Sequence, residues 1–222
     1  MVNVALTASC LAVVLPAVMV WANQQHTVCY DYFLKKDGCV HSAADPAQRC
    51  KTAHPKPYSS GVPAFSMSGG NRKRGVETTI RLMRRYDTTQ PVFFLASGKG
   101  NCGYYDSTTE RGACLWNGPD QYAPTPQTAG WLNSQQTANC RKQLYIGLQE
   151  EGPSSTKYAP LIDGCSFNTT DPATGCFQIG VTAKLFSEFN PNAGELQAGK
   201  ISRTIFWDFD SSNGQHPENA PV

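Results

Sequence analysis

After its first 22 residues the chain has no apolar run long enough to span a bilayer. It also has no Cys-x-x-Cys pair, no Gly-x-Ser-x-Gly motif and only four histidines. Those histidines, His26, His41, His54 and His216, lie near the two ends of the chain, outside the stretch richest in β-formers. Triad catalysis and histidine-based nucleases need an imidazole held in a rigid cleft, so this distribution argues against that chemistry. The missing serine motif leaves no strand-to-helix elbow for a nucleophile. Ser97-Gly98-Lys99-Gly100-Asn101 is glycine-rich, but it lacks full phosphate-loop spacing and leads into Cys102; it reads as a hairpin loop. Cys39 with His41, and Cys50 with His54, do not have the spacing of a zinc module, so no metal and no cofactor are expected. The chain has no internal repeat and no apolar C-terminal tail that would signal a lipid anchor.

Residues 1–22 are apolar and end in Val20-Trp21-Ala22. Small residues at the first and third places before a cut suit a secretory signal, removed after Ala22. No Lys or Arg precedes the run, so the N-terminal amine supplies the positive charge. Pro16 interrupts the run and no basic cluster follows, which argues against a membrane anchor. The expected product is secreted and extracellular, with no membrane span after signal removal. It has 222 − 22 = 200 residues, enough to bury a real core.

Of nine cysteines, Cys10 lies in the signal. The other eight, Cys29, Cys39, Cys50, Cys102, Cys114, Cys140, Cys165 and Cys176, are expected to form four disulfides in an oxidising compartment. Eight cysteines allow 105 pairings, and spacing does not choose among them. Asn168-Thr169-Thr170 is the single N-glycosylation sequon and lies in a polar, turn-forming stretch.

Charge is uneven along the chain. Residues 23–149 carry 15 Lys/Arg against 8 Asp/Glu, and residues 150–222 carry 4 against 9. A basic region of that kind suits an acidic partner, an anionic glycan or lipid headgroups, or simply a mixed surface. Residues 23–60 hold three cysteines and read as a separate cysteine-rich N-terminal segment. Residues 61–75 read as a flexible basic linker ending in Arg72-Lys73-Arg74, a candidate processing site.

From 76 to 210, short runs of β-formers alternate with turn residues, as in an antiparallel β-domain. Strands are expected near 76–86, 92–96, 144–148, 177–185 and 201–209, and one short helix within 128–142. The fold class is therefore mainly β, a disulfide-stabilised antiparallel β-sandwich or irregular barrel with little helix. Residues 211–222 read as a disordered tail.

Two groups of residues stand out for function. Between Cys102 and Cys114 a polar stretch contains Tyr104, Tyr105 and Arg111, with Trp116 just beyond. If those cysteines bond to each other, they close a loop of the kind that anchors protein or glycan recognition. If they bond elsewhere, the aromatics fill the core. Arg72, Lys73 and Arg74 form a second candidate contact. Asp208 and Asp210, two apart on a strand beside Trp207, are the one carboxylate pair that suggests sugar chemistry, although carboxylates at a strand end also serve as solvated edge residues.

In general type the chain resembles the small secreted cysteine-rich proteins of fungi and similar organisms, by composition and not by aligned residues. That resemblance implies a non-enzymatic, effector-like or toxin-like interaction protein with an extracellular protein or glycan partner and no nucleic-acid partner. The alternatives are a secreted carbohydrate-binding or carbohydrate-cleaving protein and a secreted protease inhibitor.

Overall fold

The computed structural model describes residues 25–51 and 86–222. The expected signal at 1–22, the linker at 61–75 with Arg72-Lys73-Arg74, His54, and all but the last residue of the 76–86 strand lie outside the described residues.

The described chain is mostly β. A helix, α1 (Val28–Asp37), precedes β1 (Tyr86–Asp87), β2 (Val92–Leu95), β3 (Gly98–Gly100), β4 (Gly103–Tyr105), β5 (Ala113–Trp116), β6 (Gln143–Leu148) and β7 (Lys157–Cys165). Then come α2 (Pro172–Gly175), β8 (Ile179–Thr182), α3 (Ala183–Glu188), α4 (Ala193–Ala198), β9 (Lys200–Ile201) and β10 (Ile205–Phe209). Among the described residues, eight strands form one curled sheet in the order β1-β10-β6-β7-β5-β8-β2-β9, and β3 pairs with β4 in a separate hairpin. The barrel-like alternative is thus the better description. Two neighbours depart from the antiparallel expectation: β5 runs parallel to β7, and β2 parallel to β8.

Aromatic side chains fill the inside of the curl. Trp116, Trp131, Trp207, Phe33 and Phe209 are each at most 1 % exposed. Tyr86 packs 4.4 Å from Phe33 and 4.9 Å from Trp207, and Trp131 packs 5.2 Å from Phe209. Gly175 is required under Trp116, because a Cβ there would come within 2.3 Å of the indole. Strand β10 is buried on both faces, so its five consecutive buried residues do not show the alternation of a half-buried strand.

The N-terminal segment is not a separate unit. Cys29 is bonded to Cys176, Phe33 lies in the main core, and the Val28 and Cys29 amides donate to Ala129 and Gly130 carbonyls at 2.8 and 3.1 Å. Ten helical residues cannot bury an apolar face alone, so the segment folds onto the sheet. The other bridges are Cys39–Cys50, Cys102–Cys140 and Cys114–Cys165. Four disulfides suit an oxidising compartment. No helix among the described residues is long and apolar enough to cross a membrane.

The tail at 211–222 is also ordered, against the sequence expectation. Asn139 exchanges hydrogen bonds with Val222, accepting from its amide at 3.1 Å and donating to its carbonyl at 3.4 Å. The Lys142 ammonium donates to Ala220 O, the Gln143 amide donates to Asn219 Oδ1 at 2.9 Å, and Arg49 donates to Asn213 O. Polar contacts hold this segment, and a search for apolar periodicity passes over them.

Local side-chain chemistry explains the remaining differences. The strand expected over 177–185 stops at Thr182, whose hydroxyl accepts from Leu185 N and starts α3. The strand expected over 201–209 breaks at Ser202–Thr204, where Glu195 takes the Ser202 amide at 2.9 Å. No helix forms within 128–142. Asn133 Oδ1 accepts from the amides of Gln135 and Gln136, both at 2.9 Å, and holds a turn instead.

Candidate functional site

The β3–β4 hairpin stands on the edge of β7. It turns through Asn101 and Cys102, with Lys99 opposite Tyr104 and Gly98 opposite Tyr105. Gly103 takes φ 112°, a conformation that excludes side chains at low cost. Cys102 fixes the turn: its sulfur bonds to Cys140, its amide donates to Ile162 O at 3.2 Å, and its carbonyl accepts from Arg141 Nη2 at 3.1 Å.

Strand periodicity sends the two tyrosines to opposite faces. Tyr104 points outward and is 78 % exposed; Tyr105 points inward at 9 %. The Tyr105 hydroxyl lies 3.3 Å from Asp163 Oδ2 and donates to it. Burial, with the Asp163 charge and this hydrogen bond, pushes the Tyr105 phenol up to about 12, so it stays a donor across physiological pH.

Asp163 is the hub beneath the hairpin. Its Oδ1 accepts from the Asn101 amide at 2.7 Å and the Gly164 amide at 2.8 Å. The Asn101 side chain, oriented by its partners, donates to the same carboxylate and accepts from Ser134 N, both at 2.7 Å. A Cβ on Gly100 would fall 2.6 Å from Asp163 Cγ, which accounts for glycine there. Beside this hub, Gly164 is bordered by Asn117 and the Leu132 carbonyl. The buried Asn117 Oδ1 has no hydrogen-bond partner among the described residues. Chemically the hub anchors a rigid base, with one carboxylate already engaged by several donors and an exposed aromatic and an exposed lysine above it.

The structure separates the residues that the sequence grouped together. Cys102 and Cys114 bond to different partners, so they do not close a loop. Trp116 is fully buried and its indole N–H donates to Thr169 O at 3.0 Å; it is a core residue and not a contact. Arg111 is exposed, but Glu188 holds it through Nη2 at 2.8 Å and Nε at 3.0 Å, which ties the loop before β5 to α3. Of the predicted contacts among the described residues, Tyr104 and Arg111 are exposed, Arg111 being held by its ion pair, and Tyr105 supports Tyr104 from below. Arg72, Lys73 and Arg74 lie outside the described residues.

Asp208 is 1 % exposed and its Oδ1 accepts from the Phe209 amide, so it is neither an edge carboxylate nor a solvent-facing partner for Asp210. His26 stacks on Tyr30 at 4.0 Å, His41 on Tyr86 at 5.1 Å, and His216 lies 3.2 Å from Glu218. Among the described residues, no group of three or more His, Cys, Asp or Glu is placed to hold a metal ion.

Sequence reasoning missed Asp163 and Asn101 as the hairpin's anchor. The available signal was a carboxylate inside an apolar strand, in Leu161-Ile162-Asp163-Gly164-Cys165. A charge there needs several donors, and loops supply them.

No known family model and no curated protein matches the sequence. Among solved structures, one match is the Streptomyces papain inhibitor (SPI), 16 % identical, covering 57 % of this chain and 92 % of that one with a TM-score of 0.36. A likeness of that size carries no argument about what this chain does.

Proposed function

We propose that the protein is a secreted, non-enzymatic interaction protein, effector-like or toxin-like, that binds an extracellular protein or glycan through the outer face of the β3–β4 hairpin. The observation that carries this reading is Tyr104, an aromatic 78 % exposed on a hairpin whose turn is held by a disulfide. A rigid base lowers the entropy lost when such a side chain is captured, and aromatics of this kind dominate binding energy at interfaces. Lys99, opposite Tyr104, gives the same face a positive charge for an acidic or hydroxyl-rich partner. Arg111 acts by positioning the neighbouring loop through Glu188, and Trp116 by filling the core.

The carbohydrate-cleaving alternative loses its acid–base pair with the burial of Asp208. Carbohydrate binding and protease inhibition are both compatible with a displayed aromatic on a rigid turn, and one experiment separates them. The purified protein is tested for depletion by insoluble cell-wall polysaccharides and for inhibition of a panel of secreted proteases, beside Tyr104→Ala. Depletion by a polymer assigns a glycan partner, and inhibition assigns a protease. In either case, an unaffected Tyr104→Ala overturns the hairpin as the contact.

A further inference from the structure

We infer that Asn168 carries an N-linked glycan. The inference is independent of the hairpin reading and rests on how the fold presents the sequon. Asn168 follows β7 in a turn closed by the Thr169 amide donating to Ser166 O at 3.2 Å. Phe167 and Asn168 both take left-handed backbone angles, φ 50° and 51°. The Phe167 ring packs on Phe93 at 5.5 Å and pins the turn from inside, while Asn168 stays exposed.

The middle and last residues of the sequon do different work. Thr169 is part of the body: its carbonyl accepts from the Trp116 indole at 3.0 Å and from the Gln121 amide at 2.9 Å, and its hydroxyl accepts from the Asp171 amide at 3.1 Å. Thr170 is exposed. Neither the Asn168 amide nor the Thr170 hydroxyl makes a hydrogen bond to the described residues, whereas the neighbouring Thr169 hydroxyl and Asp171 carboxylate do. A left-handed turn favours asparagine for backbone reasons alone. It does not call for a threonine at 170, and glycosyl transfer does call for a hydroxyl two residues after the asparagine. The amide nitrogen that would receive the sugar is therefore free and exposed, two residues before the exposed hydroxyl the transfer needs. A glycan there projects into solvent without displacing a packed group.

The test is translation of the full chain in the presence of microsomes, and expression in a secreting eukaryotic cell, with intact mass read before and after peptide-N-glycosidase. The wild-type protein is expected to carry a mass increment of one N-glycan core that the enzyme removes, leaving aspartate at 168. Thr170→Ala is expected to lose the increment. It keeps Asn168 in its left-handed turn, so its thermal midpoint is expected to match that of enzymatically deglycosylated wild type. Asn168→Gln is the second variant and is also expected to lose the increment. Unmodified Asn168 in protein recovered from the microsomes or the medium would overturn the inference. So would exclusion of the chain from microsomes, because the modification takes place inside them.

Discussion

The Cys29–Cys176 bridge joins the N-terminal helix to the sheet across 147 residues of sequence, the longest closure among the four disulfides. Replacing both cysteines with serine opens that closure only in part, because Cys39–Cys50 and Cys114–Cys165 still shorten the path through the chain. The remaining loop is roughly 90 residues, for which the chain-entropy relation gives about 4–5 kcal/mol of lost stability. Both cysteines are fully buried, so two serine hydroxyls in the core add to the loss. The measurement is equilibrium unfolding in guanidinium, with the Trp131 and Trp207 core providing the fluorescence signal. The expected result is a lower midpoint with α1 detached, seen as faster amide exchange over Val28–Asp37 than over β6. A loss below about 1 kcal/mol, with α1 still protected, would refute the reasoning that this bridge makes the N-terminal segment part of the domain.

Two pH dependences follow from buried charged and phenolic groups. Burial would raise the Glu195 carboxyl, but hydrogen bonds from Arg203 and from the Asn192, Ser202 and Arg203 amides outweigh it and hold the group at about 2. Its folded value lies below its unfolded one, so about 3 kcal/mol of stability is present above pH 4.5 and disappears as pH falls toward 2; urea midpoints across that range should fall in wild type and flatten in Glu195→Gln. Burial lowers the Lys142 ammonium to about 8, so the unfolded chain keeps a proton that the folded protein releases, and stability should rise between pH 8 and 10.5. Tyr30 and Tyr105, both raised to about 12 chiefly by burial, reverse the trend above pH 10, giving a stability maximum near pH 10. Lys142→Met should remove the rising limb in alkaline thermal melts and leave the falling one.

Several elements were legible because their pattern and their packing agree. Leu144, Ile146 and Leu148 become β6, and Val92 to Leu95 become β2. The eight cysteines pair into four bridges. The pairing itself was not legible, since strand order decides which sulfurs meet: β5 lies beside β7, so Cys114 reaches Cys165 and not Cys102. The tail and the N-terminal helix misled for a shared reason. Both are held by contacts distant in sequence, among them Thr27 with Val222 at 2.6 Å and Ser42 with Phe209 at 2.7 Å. At the candidate site, a strand of alternating residues fixed Tyr104 outward and Tyr105 inward once the hairpin register was known. The anchoring role of Asp163 emerges only when Gly100, Asn101 and Gly164 are brought around it.

The central claim is that a rigid hairpin presents Tyr104 to a partner. The most direct measurement compares wild type, Tyr104→Ala and Tyr105→Phe side by side on the polysaccharide and protease panel, with unfolding midpoints taken in parallel. The account predicts that Tyr104→Ala loses at least about tenfold in affinity, an interface-anchor loss of at least about 1.4 kcal/mol, with no change in midpoint. Tyr105→Phe should instead lower the stability by about 1 kcal/mol, read as a lower midpoint, through the lost Asp163 hydrogen bond. Equal affinity of Tyr104→Ala and wild type for a partner that both bind would contradict the account.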